Sequence, residues 1–87
     1  MTTKYQPLVR ALDKRKSLRI HMTFAEIENT LGFDLPPVAR KFRSWWSNNP
    51  NNSVMTRAWI EAGYKSSEVD VANERLTFVR ELQHEPA

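Results

Sequence analysis

The spacing of apolar positions changes several times along the chain. Tyr5, Leu8, Val9 and Leu12 recur at helical spacing, which predicts a helix over 5–14 with Pro7 tolerated in its first turn. Leu18, Ile20 and Met22 then alternate with Arg19 and His21, the period of two that marks a half-buried strand. Thr23 and Glu26 follow at capping-box spacing, and Met22 and Ile27 at the spacing of a hydrophobic staple. Phe24, Ile27 and Leu31 form one helix face, and Gly32 supplies the left-handed stop.

Pro36-Pro37 opens a third helix, because proline in a first turn removes only an N–H that has no helical partner. Val38, Phe42 and Trp45 lie on its expected inward face, and Arg40, Lys41, Arg43 and Ser44 cover the remainder. Ser47-Asn48-Asn49-Pro50-Asn51-Asn52 is a loop. Ser53 caps a fourth helix with Met55, Ala58, Trp59 and Ala62 inward and Gly63 as its stop. Period two returns in Val69 and Val71, then in Leu76 and Phe78, predicting a β-hairpin over 67–82 that turns at Asn73-Glu74. Residues 1–4 and the tail from Gln83 are expected to be loose.

Helix, strand, three helices, hairpin is the order of a winged helix with one added helix. The expectation is an α+β, winged-helix-like domain over residues 1–87, its ordered core about 5–82. The lone strand pairs with the hairpin in a small three-stranded antiparallel sheet. Tryptophans next to each other on a helix point about 100° apart, so Trp45 and Trp59 are expected to be buried and Trp46 partly exposed.

With 87 residues and 40% hydrophobic content, the chain can bury one thin core. It has no cysteine, which excludes disulfides and thiolate metal sites and fits a cytoplasmic setting. No apolar run approaches the ~20 residues of a membrane span. The charge is uneven. Six basic residues from Lys4 to Arg19 face one acid, Asp13, and Arg40, Lys41, Arg43 and Arg57 meet no acid between Asp34 and Glu61. A basic front half with an acidic rear is the pattern of a protein that lays one face on a polyanion.

Ile27, Gly32, Phe33 and Val38 fall where a helix-turn-helix needs core contacts and a tight turn. Glu28 and Lys41 depart from that pattern, standing where a small and an apolar residue are usual. An αα-hairpin without a nucleic-acid role is the bland reading. Arg40, Lys41, Arg43 and Arg57 can neutralise phosphates or read guanine, while Asn48, Asn51 and Asn52 suit phosphates or an adenine edge. Ser53 places the amides and positive dipole end of the fourth helix beside Arg57. An exposed Trp46 would stack on a base or anchor a protein partner, and Asn73 would tip the wing.

Catalysis is not expected. His21 and His84 lie far apart in sequence, and both glycines stop helices, leaving no phosphate-cradling loop. No cofactor or metal is expected either.

Phe24-Ala25-Glu26-Ile27-Glu28, Leu31-Gly32, Leu35-Pro36-Pro37 with Ala39, Trp45-Trp46-Ser47-Asn48, Ala58-Trp59-Ile60 with Ala62-Gly63, and Phe78-Val79-Arg80 resemble a small bacterial domain family of unknown function. The similarity runs over nearly the whole chain. Val38 replaces a usual serine, removing a cap or hydrogen bond there. The resemblance implies no activity; such domains stand alone or near nuclease-like and mobile-element genes, which agrees with a nucleic-acid role. The expected function is double-stranded DNA binding by a small transcriptional regulator of phage, plasmid or bacterial type, acting as a homodimer. The competing class is a protein-interaction module, such as an inhibitor of a host nuclease complex.

Overall fold

A computed structural model describes residues 4–80. Four α-helices, α1 (Gln6–Arg15), α2 (Phe24–Leu31), α3 (Pro37–Lys41) and α4 (Val54–Glu61), accompany three strands, β1 (Arg19–Thr23), β2 (Tyr64–Asp70) and β3 (Arg75–Arg80). A 3-10 turn occupies Arg43–Trp46. The sheet is antiparallel with order β1-β3-β2, so the isolated strand pairs with the hairpin as expected and the architecture is α+β with the winged-helix order. The expected loose tail from Gln83, with His84, lies outside the described residues, as do Met1–Thr3 of the expected loose start.

Local chemistry sets most of the element boundaries. Thr23 Oγ1 accepts from Glu26 N at 3.0 Å, and Glu26 Oε1 accepts from Thr23 N at 2.8 Å, the reciprocal capping box read from the sequence. Gly32 ends α2 at φ +86°, a region a side chain disfavours. Ser53 Oγ accepts from Thr56 N at 3.1 Å and starts α4.

The core gathers Tyr5 from the cap of α1, Leu8 and Leu12 from α1, Phe24, Ile27 and Leu31 from α2, Met55, Ala58 and Trp59 from α4, and Ile20, Leu76 and Phe78 from the sheet. Trp46 lies at its centre, stacked on Phe24 (4.7 Å between ring centroids) and on Trp59 (6.0 Å). Its Nε1 donates to the Ala39 carbonyl at 2.8 Å.

This placement corrects the helix that Pro36-Pro37 opens. Expected to run on through the tryptophans, α3 instead ends at Lys41, and Phe42 is extended at φ −121°, ψ 118°. Ala39 C=O would accept from residue 43 in a continuing helix, but it is taken by the Trp46 indole. Beyond the break, a 3-10 turn advances about 120° per residue, so a helical phase counted from Val38 no longer applies. Trp59 is buried as expected, but the expectations for the adjacent pair reverse: Trp46 is 1% exposed, and Trp45 is the half-buried one. Val38 and Phe42, expected inward, are 42% and 57% exposed. Leu18 is likewise exposed, at the strand entrance.

The hairpin also differs from its expected bounds. It begins at Tyr64 rather than 67 and is described to Arg80, the expected residues 81–82 lying outside the described range. Its first half hid from the period-two reading because the core-facing Ser66 is polar; it finds partners in Trp46 O and Asn48. A bulge between Ser67 and Asp70, with Glu68 at φ +50°, shifts the later register. The turn spans 71–74 rather than a two-residue Asn73-Glu74.

One ion-pair network joins three elements. Arg40 donates to both Glu28 oxygens, at 2.7 and 2.9 Å, and to Glu74 Oε2 at 3.2 Å. Glu28 also accepts from Leu35 N at 2.8 Å. Thus Glu28, out of place for a helix-turn-helix, braces the turn between α2 and α3 and binds α3 alongside it. The Arg40 hydrogen bonds and the Leu35 amide hold the Glu28 carboxyl below its ordinary value of 4.5.

A depressed carboxylate stabilises the fold fully above its unfolded pKa, and that contribution is lost as pH falls through the folded value. Glu28→Gln is therefore expected to lower the unfolding free energy by about 1–3 kcal/mol near neutrality and to lessen the loss of stability below about pH 4.5. Urea unfolding of both proteins across that range checks this; parallel pH profiles would refute the assignment.

Candidate nucleic-acid interface

The residues expected to contact a polyanion fall into two groups, those consumed inside the fold and those turned outward. Arg40 belongs to the first. Its guanidinium is bidentate to Glu28, which raises its already high pKa further, and it lies over the Phe24 ring at 5.9 Å. It fastens α3 to α2 and to the hairpin turn.

Asn48 is also committed internally. Its Oδ1 accepts from Trp59 Nε1 at 2.9 Å and from Ser66 N at 2.8 Å, and its Nδ2 donates to Ser66 O at 3.1 Å. One amide thereby satisfies a core indole and joins the loop to β2. Asn52 is exposed, but its Nδ2 donates to Ser44 O at 3.2 Å and Trp45 O at 2.7 Å, drawing the loop's end onto the 3-10 turn. Ser53 is occupied as the α4 cap, and Trp46, the expected stacking residue, is buried.

The second group is smaller. Lys41 and Arg43 are exposed, and among the described residues no carboxylate pairs with either. Asn51 is exposed in the loop, where its N–H donates to Asn49 Oδ1 at 2.9 Å. Arg57 is exposed on α4 and donates from Nε to Pro50 O at 3.0 Å.

These links bring Arg43, the asparagine loop and Arg57 together at the surface. Arg43 precedes Ser44, which Asn52 grips; Asn52 follows Asn51; and Pro50 receives Arg57. Beside Arg43 a groove of about 390 Å³, lined by Ser44, Ser47, Ser66 and Ser67, offers hydroxyls. Glu68 also lines it, paired with Arg19 at 2.7 Å.

A second concavity, of about 540 Å³, lies against the outer face of the sheet and the start of α2. Glu26, Glu68 and Asp70 line it against Arg75 and His21, a balance that does not favour a polyanion. His21 Nδ1 is 2.8 Å from Thr77 Oγ1, its cross-strand neighbour. Among the described residues, no group of three His, Cys, Asp or Glu side chains is placed to hold a metal ion.

The wing is tethered rather than free. Asp70 accepts from Asn73 N and Nδ2 at 3.2 and 2.8 Å, and those bonds hold its carboxyl below the usual range. Glu74 O accepts from Phe24 N at 2.8 Å, docking the turn on the start of α2. Asn73 remains exposed at the tip.

A family profile described as "domain of unknown function", DUF7662, matches residues 5–81. The chain belongs to this family. That agrees with the resemblance drawn from the Phe24–Glu28, Trp45–Asn48 and Ala58–Gly63 motifs. No curated protein and no solved structure matches the chain. No helix of the described residues is long and apolar enough to cross a membrane.

Phe42, like Val38, is exposed where the helical phase predicts burial. Its exposure had no local signal, because it depends on where Trp46 goes.

Asn48→Ala is expected to cost about 1–3 kcal/mol, since the buried Trp59 N–H and Ser66 N–H lose their acceptor. Replacing Lys41 and Arg43 with Gln should stay within about 0.5 kcal/mol of wild type. Denaturant midpoints of the two variants distinguish a structural amide from surface cations, and equal effects would refute the division.

Proposed function

We propose that this domain binds double-stranded DNA through the strip running from Lys41 and Arg43 across the asparagine loop to Arg57. The observation that supports the reading is that these cations are exposed and, among the described residues, have no carboxylate partner, while the other arginine of the segment is internally neutralised. Cations held on short, anchored elements exchange condensed counterions for phosphate contacts with little side-chain ordering elsewhere. Asn51 and the α4 amides beyond Ser53 add uncharged donors next to them.

The strip suits a shape- or backbone-directed reader more than a base-reading one. At five residues, α3 is about 7.5 Å long, and a major-groove helix ordinarily presents several side chains along its length. Sequence specificity on this reading comes largely from duplex deformability. One copy offers few contacts, so a cytoplasmic homodimer acting as a small regulator of phage, plasmid or bacterial type is the form proposed. The role is binding, not catalysis. A protein-docking module built on Trp46 loses its anchor, because that ring is buried.

A gel-shift titration with random duplex over a range of salt concentrations tests the proposal. Three phosphate contacts per protomer give a log–log slope of about −2 to −3 per protomer. Replacing Lys41, Arg43 and Arg57 together should flatten that slope and abolish binding with the melting temperature nearly unchanged. Arg40 is left intact, since its loss would perturb the fold. Salt-insensitive retention, or unaltered binding by the triple variant, would refute the interface.

A further inference from the structure

Phe42 is exposed, yet it is firmly placed. Its N–H donates to Val38 O at 2.9 Å, and its carbonyl accepts from Trp45 N at 3.1 Å. On its two sides the chain is fixed by Ala39 and Trp46, both buried and hydrogen-bonded to each other. The ring therefore stands on a rigid corner, 57% exposed, with Val38 one helical turn behind it at 42%. Lys41 and Arg43, both exposed, flank it. The remaining phenylalanines are engaged: Phe24 and Phe78 are fully buried, and Phe33 meets Tyr5 edge-on at 5.6 Å.

We propose that Phe42 is an apolar wedge that enters a base step of duplex DNA from the minor groove, with Lys41 and Arg43 holding the phosphates on either side. This rests on the duplex-binding reading and specifies its mode. A wedge needs the depth of one side chain rather than the length of a recognition helix, which matches an α3 of five residues. Phenylalanine is among the residues that partly unstack a step and kink the duplex, opening the groove to more protein surface. The flanking cations follow the backbone that the kink brings closer. Val38, one turn behind, supplies apolar contact for the sugars of the opened step. Flexible pyrimidine–purine steps, or steps already unstacked, are the preferred targets because they cost less to open.

The test uses short duplexes carrying a fluorescence donor and acceptor at their ends, one fully paired and one with a central single-base bulge. Wild type, Phe42→Ala, Phe42→Leu and the Lys41→Gln/Arg43→Gln double variant are titrated against both. Wild type should bind the bulged duplex about tenfold more tightly and shorten the end-to-end distance of the paired one. Phe42→Ala should lose the preference and the bend while keeping the salt slope and melting temperature; Phe42→Leu should keep part of both. The double variant should lose affinity for both duplexes alike.

If Phe42→Ala bends and discriminates like wild type with the slope intact, the wedge is wrong and the interface stands. Absence of wild-type binding to either duplex at low salt would remove the interface and the wedge together. If Phe42→Ala leaves DNA binding unchanged but weakens self-association in sedimentation, the ring is a contact between copies, and the wedge is overturned.

Discussion

The Trp46 indole, held between Phe24 and Trp59 with its N–H on the Ala39 carbonyl, constrains most of what surrounds it. A buried indole N–H needs an acceptor, and the nearest one is a carbonyl that a longer α3 would have used. Filling the core and continuing the helix are incompatible. The core wins, since the burial of so large a ring outweighs the one or two helical hydrogen bonds forgone. Helix α3 stops early, the chain turns outward at Phe42, and the 3-10 turn returns it to the core. The shape of the proposed DNA-facing strip thus follows from how one tryptophan is satisfied.

Asn48 extends the same logic to the sheet. It takes the second core indole, Trp59, and bridges to Ser66 on β2. Trp46 and Ser66 are in turn joined by a hydrogen bond from Ser66 Oγ to the Trp46 carbonyl. The loop that looks polar and exposed in sequence is therefore part of the scaffold at one end, Asn48, and outward only further along, at Asn51. Its bonds to the 3-10 turn and to Arg57 tie the loop to both neighbouring elements.

Charge counting from sequence overstates what is free to meet a partner. Four cations and no acid lie between Asp34 and Glu61, but Glu28 and Glu74, outside that window, fold back onto Arg40. Arg40 is the cation that fixes α3, and fixing α3 sets the direction of Lys41 and Phe42. Its structural use and the exposure of its neighbours belong to one arrangement.

Much of the secondary structure was legible from the chain, because its signals are local. The Thr23–Glu26 capping box, the Gly32 stop, the Ser53 cap and the alternation in Leu18–Met22 each depend on residues within a turn of one another. So the order of elements, the α+β class and the pairing of the first strand with the hairpin could be read directly. The early start of β2 was not legible, because the core-facing Ser66 breaks the apolar alternation and is made acceptable only by Asn48 and Trp46. Nor was the choice between Trp45 and Trp46. A helical phase assigns both, but which ring enters the core depends on Phe24, Trp59 and Ala39, brought together from three separate elements. The sequence by itself determined the elements, their caps and the supply of cations. Only the tertiary structure decided which aromatic is buried, which arginine is spent and which phenylalanine is left in water, because each of those outcomes is a competition between partners distant along the chain.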